Sequence, residues 1–132
     1  MRAIDTHVLV RYYAQDDARQ SAAALALFER GGLFVPVTVV LETEWVLRAR
    51  YGVTPARIAE VFAHLLALEE ATVEDAEAVA VAVERLRRGF DFADALHHAR
   101  CGHCSEFLTF DSRGFAARAR RAGLKPQVAF IE

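Results

Sequence analysis

Short apolar runs alternate along this chain with longer stretches whose apolar residues recur every three to four positions, and no other feature restricts the fold as much. Runs at 3–4, 33–37, 72–73, 106–110 and 126–130 read as strands, the second broken by Pro36. Helices are expected over 8–13, 18–30, 39–52, 54–68, 75–88, 91–102 and 112–122. Their ends carry start and stop residues. Gly31-Gly32, Gly52 and Gly123 tolerate a left-handed C-terminal turn, Thr54-Pro55 is a cap followed by proline at the first helical position, and Thr38 can cap the third helix. Within 75–88, Ala76, Val79, Ala80 and Val83 recur at the helical period and are expected to face the core. Strands alternating with helices imply an α/β fold, a three-layer sandwich with a central, mostly parallel sheet of four to five strands. Any ligand then sits outside the carboxyl ends of the strands.

With 132 residues and no repeat, linker or composition break, the chain is expected to be a single domain over 1–132. It is 54% hydrophobic and 26% charged with three Pro and seven Gly, a globular balance that excludes the disordered and fibrous classes. No apolar run reaches the roughly 18 residues of a membrane span, and Asp5 interrupts the stretch where a signal peptide would be apolar. Cys101 and Cys104 are too few to staple a secreted scaffold, so a cytoplasmic location without membrane association is expected. The net charge of −2 offers no general attraction for polyanions, so any nucleic-acid contact rests on a local patch. Fifteen of the sixteen basic residues are arginine, a side chain suited to bidentate phosphate contacts. Arg11, Arg48 and Arg113 neighbour the acidic positions discussed next and are the candidates for such contacts.

Asp5 follows the first strand directly and Asp111 follows the strand 106–110, so in a parallel sheet both carboxylates share one edge. Glu42 lies about one turn into the helix after the second strand, and Asp94 in the first turn of the helix before Asp111. Four carboxylates in one cleft repel one another and are driven toward protonation unless a cation compensates them. An all-oxygen set suits Mg²⁺ or Mn²⁺ better than zinc, and such ions support water attack on a phosphodiester. Acids in these places also serve as caps or dipole partners. Asp91 is expected to cap its helix while Asp94, three residues on, faces inward. Glu44 lies about 200° around the helix from Glu42 and is expected to be solvated.

The segments MRAIDTHVLVRYYAQDD, VPVTVVLETEWVLR, FDFADALHHA and FLTFD resemble, in this order, the successive motifs of the PIN-domain family, particularly its VapC-type toxins. The resemblance covers nearly the whole chain. It implies a compact PIN-like sandwich with a central parallel sheet and a Mg²⁺- or Mn²⁺-dependent ribonuclease. In that reading Asp5, Glu42, Asp94 and Asp111 are the catalytic and metal-binding positions, with Thr109 a supporting hydroxyl. It further implies the toxin of a type II toxin–antitoxin pair, a homodimer held inactive by a cognate antitoxin whose tail enters the active-site groove. The first motif departs from the family, reading Asp5-Thr6-His7 where Asp-Thr-Asn is usual. His7 can hydrogen-bond Asp5, or offer nitrogen to a metal and shift preference toward Mn²⁺. It can also mark a catalytically weak or inactive PIN-like module that binds RNA or protein. With all four acids intact, the active enzyme is the expectation.

Other patterns point elsewhere. Cys101-Gly102-His103-Cys104 spells a disulfide-isomerase motif, but it follows a helix, where the dipole opposes thiolate formation. With His97 and His98 it offers five zinc-ligating side chains within eight residues, a crowded set for a tetrahedron. A helix stop at Gly102 beside small, buried cysteines is the expected account. A haloacid-dehalogenase-type phosphatase needs an aspartate where His7 stands, and a receiver domain needs a lysine that Leu108-Thr109-Phe110 does not supply. Trp45 is expected in the core, and Val46 and Leu47 in the core or on a dimer face.

Overall fold

The computed structural model describes residues 1–132. In chain order its elements are β1 (Arg2–Ala3), α1 (Thr6–Ala14), α2 (Ala18–Arg30), β2 (Leu33–Val35), α3 (Val37–Ala49) and α4 (Pro55–Ala67). There follow β3 (Ala71–Val73), α5 (Ala76–Arg87), α6 (Phe92–Ala99), β4 (Glu106–Thr109), α7 (Gly114–Ala122) and β5 (Gln127–Phe130). The α/β alternation read from the sequence is present, and every strand pairing is parallel. The ladder runs β1-β2-β3, with Leu33 opposite both Arg2 and Ala71, while β4 pairs with β5 as a separate two-strand sheet. Strand β1 is only two residues long, and both are exposed.

Burial explains why these helices lie where they do. In α4, Ile58, Ala59, Phe62 and Leu65 form one buried stripe at the helical period. In α5, packed against both α4 and α6, the buried residues are Ala78, Val79, Ala82, Val83 and Leu86. Ala76 and Ala80, expected inside, are exposed. The segment AEAVAVAVERL is apolar around most of its circumference, so periodicity leaves the facing open and the neighbours choose it. The Phe62 and Phe92 rings meet at 5.2 Å and join α4 to the start of α6. Each such buried ring stabilises by about 1.5–3 kcal/mol over an exposed one, and together they hold the first turn of α6, which carries Asp94, against the core.

Several boundaries are decided by side chains. Asp5 caps α1 by accepting the Val8 amide at 3.1 Å, so the helix begins at Thr6, two residues earlier than expected. Thr38 does not cap α3. The helix starts at Val37, whose amide donates to Glu74 Oε1 at 2.8 Å, so the capping carboxylate comes from the end of β3. The expected caps of α4 and α6 are present: Thr54 accepts the Arg57 amide at 3.3 Å and Asp91 the Asp94 amide at 3.0 Å. Gly123 closes α7 in the left-handed region at φ 67°. Strand β4 ends at Thr109, which leaves Phe110 and Asp111 in the connection to α7.

Candidate active site

The acidic residues occupy the ends and first turns that the sequence assigns to them. Asp5 spends one carboxylate oxygen on the α1 cap, and His7 Nδ1 lies 3.9 Å from its other oxygen. Next to it, buried Thr6 donates its hydroxyl to Glu42 Oε1 at 2.5 Å. This bond ties the start of α1 to α3 and fixes the rotamer of Glu42, which is otherwise exposed.

Asp94 is half-buried, and burial pushes its carboxyl above the usual carboxylate range, with Asp91 and Asp111 adding to the rise and His97 opposing it. Asp111 contributes the weakest of these influences on Asp94. Two local bonds set Asp111: its amide donates to Thr109 Oγ1 at 3.0 Å, and its Oδ1 accepts the Arg113 amide at 2.9 Å. Thr109 thus acts on the backbone beneath the aspartate.

Glu44 is not solvated. It is 4% exposed and accepts from Arg48 Nε at 2.8 Å, and both Glu44 and Asp91 hold the Arg48 guanidinium above its usual range. The separation of about 200° from Glu42 places Glu44 on another face of α3, and that face is buried at Glu44 rather than solvated. Arg48 is consequently committed to protein, as is Arg11, which donates to Gln20, Tyr51 and Asp16. Arg113 has no carboxylate within salt-bridge distance. Trp45, expected in the core, is 47% exposed, whereas Leu47 is buried. Thr43 is fully buried, and its hydroxyl has no hydrogen-bond partner.

The histidine and cysteine stretch makes no zinc site. His98 is fully buried, with Nε2 donating to the Pro126 carbonyl at 2.7 Å and Nδ1 accepting from Arg85 Nη1 at 2.9 Å, so both ring nitrogens are used. Cys101 is half-buried and Cys104 exposed, less enclosed than the sequence suggests, because the turn closed by the Cys104 amide on the Cys101 carbonyl lies at the surface. Burial and the neighbouring Cys104 push the Cys101 thiol up, the opposite of an activated thiol. No three His, Cys, Asp or Glu side chains anywhere in the chain stand close enough to share an ion. The four acids therefore do not form a group of three or more in this structure, and the bond to Glu42 from this edge is that of Thr6. Sequence reasoning missed Thr6, Glu74 and His98 as positioning groups. Only Thr6 carried a signal, its place beside Asp5.

The four acids offer oxygen donors, with the imidazoles of His7 beside Asp5 and His97 acting on Asp94. Burial, ahead of the neighbouring acids, raises the Asp94 carboxyl, and the fit to a hard divalent cation rests on the oxygen chemistry of the four acids. Parallel strands with acids after β1, inside α3, at the start of α6 and after β4 define the class: an α/β domain with an acidic strand-end site. The PIN domain profile matches residues 3–121, a span that includes all four acids, and the chain belongs to the PIN domain family, whose members are generally nucleases. Neither curated proteins nor solved structures gave a match.

Proposed function

We propose that this chain is a divalent-metal-dependent ribonuclease, the VapC-like toxin of a type II toxin–antitoxin pair. The observation that carries the reading is the PIN family match over residues 3–121, which spans Asp5, Glu42, Asp94 and Asp111. Asp94, Asp111, Asp5 and Glu42 would supply oxygen ligands to Mg²⁺ or Mn²⁺, although no three of them stand grouped in this structure, and the ion when bound would lower the pKa of water and neutralise charge on the phosphodiester. The chain's own part is positional. The Asp91 cap aims Asp94, Thr109 sets the turn that presents Asp111, and the Thr6 hydroxyl orients Glu42. A cytoplasmic homodimer controlled by a cognate antitoxin completes the proposal, in keeping with free cysteines and the lack of any helix long and apolar enough to cross a membrane.

The test is cleavage of RNA with Mg²⁺, with Mn²⁺ and with chelator, for the wild type and Asp94→Asn. Cleavage that needs metal and is abolished in Asp94→Asn supports the reading. Failure with both metals, together with growth arrest unaltered by Asp94→Asn, overturns it. One observation favours a second reading, a PIN-like module that binds RNA or protein with little cleavage. His7 replaces the usual amide, is 86% exposed in its side chain, and reaches Asp5 only at 3.9 Å. His7→Asn separates the two: restored or faster cleavage assigns the weakness to His7.

A further inference from the structure

Between α1 and α3 lies a hollow of about 380 Å³, lined by Thr6, His7 and Glu42 at one end and by Trp45, Arg50 and Tyr51 at the other. We propose that it is a base-stacking subsite, which seats a nucleotide of single-stranded RNA next to the acidic edge. The inference deepens the ribonuclease reading and rests on it for the class of ligand.

Three observations carry it. Trp45 follows Glu42 by three positions on α3, so both side chains share one helix face. Yet the indole, the chain's only one, is left 47% exposed instead of entering the core. The Arg50 guanidinium lies 5.7 Å from the Trp45 ring and has no carboxylate partner, so an unneutralised cation stands beside an aromatic face. The third is continuity: the wall of the hollow includes Glu42 and its partner Thr6, so a base seated on Trp45 places its own backbone along the acidic edge. An aromatic platform with an arginine is the chemistry that holds single-stranded nucleic acid without reading its sequence. The unpaired Arg50 beside the exposed face of Trp45 matches the phosphate and base of a nucleotide, and a second copy of this chain is the competing occupant that the titration distinguishes.

Because Trp45 is the only tryptophan, its fluorescence reports on the hollow directly. Metal-free protein in chelator is titrated with hexauridylate and with hexaadenylate, and binding is measured in parallel by anisotropy of the labelled oligomers. The expected result is saturable quenching at fixed protein concentration. Affinity should fall about 5- to 150-fold in Trp45→Ala, the range found for loss of one stacked base, with most of it retained in Trp45→Phe. Arg50→Gln should weaken both oligomers alike and lower the salt slope by about 0.7, one single-strand phosphate contact. Circular dichroism verifies that the variants fold. An emission that responds to protein concentration and not to RNA puts a second copy in the hollow and overturns the proposal, as does unchanged affinity in Trp45→Ala. The two readings fail separately. Quenching without cleavage under any metal removes the nuclease and keeps the subsite, whereas Asp94-dependent cleavage with unchanged KM in Trp45→Ala and no quenching removes the subsite and keeps the nuclease.

Discussion

His98 makes an acid-sensitive joint whose behaviour can be worked out from its contacts. Its ring joins α6 to Arg85 of α5 and to the Pro126 carbonyl before β5, and packs against Phe107 and Phe115 at 5.4 and 5.7 Å. Arg85 can donate only to an unprotonated Nδ1, so the folded state requires the neutral ring with its proton on Nε2. Burial lowers the pKa of His98 and Arg85 lowers it further, against the opposing bond to Pro126. A depressed folded-state value means that the unfolded chain binds the proton more readily. The stability contributed by neutral His98 is therefore complete above the unfolded pKa and is lost as pH falls through it. From an unfolded value of about 6.5, the loss between about pH 7.5 and 5.5 is at most about 1.4 kcal/mol, the limit reached when the folded pKa lies well below that window. His98→Gln keeps a donor toward Pro126 and cannot titrate. It should cost about 1–3 kcal/mol at neutral pH through lost ring packing, with the deficit narrowing as pH falls. Urea unfolding of both proteins at intervals from pH 8 to 5 measures this. A gap between wild type and variant that stays constant across the window would falsify the joint.

Three further substitutions test the packing around the site. Asp94→Asn removes a carboxylate that burial and two neighbouring acids disfavour, so the metal-free protein should melt at a higher temperature while cleavage is lost; a lower melting temperature would contradict the electrostatics. Glu74→Ala deprives α3 of its only side-chain cap and should cost about 1 kcal/mol in denaturant unfolding, with reduced cleavage because Glu42 rides on that helix. Thr43→Val replaces an unpartnered buried hydroxyl by a methyl and should be neutral or stabilising by up to about 1 kcal/mol in the same assay, whereas a loss of 2 kcal/mol or more would mean that the hydroxyl has a partner.

Several starts and stops were legible because caps and glycines act locally, whereas α1 begins two residues earlier than expected, and α3 and α6 end three residues before Gly52 and Gly102. Thr54, Asp91 and Gly123 do at short range what their types prescribe, and the exception at α3 arose because its cap, Glu74, lies far away in sequence. Facing was less legible. Periodicity identified the buried stripe only where polar residues interrupt it, and it missed Ala76 and Ala80 in an alanine-valine helix. In α3 the run VTVVLETEWVL is apolar on several sides, so nothing local says that Glu44 goes in and Trp45 stays out.

The sequence by itself determined the alternation of strands and helices, the capping role of Asp91 and the order of the four acids, since each depends on residue type and short spacing. Tertiary structure alone decided that Thr6 holds Glu42, that Glu44 is buried and paired with Arg48, and that His98 spends both nitrogens on distant partners. Those are contacts between elements far apart in the chain. They follow from which helix face meets which neighbour, and the energy that selects the face comes from the whole core rather than from any one segment.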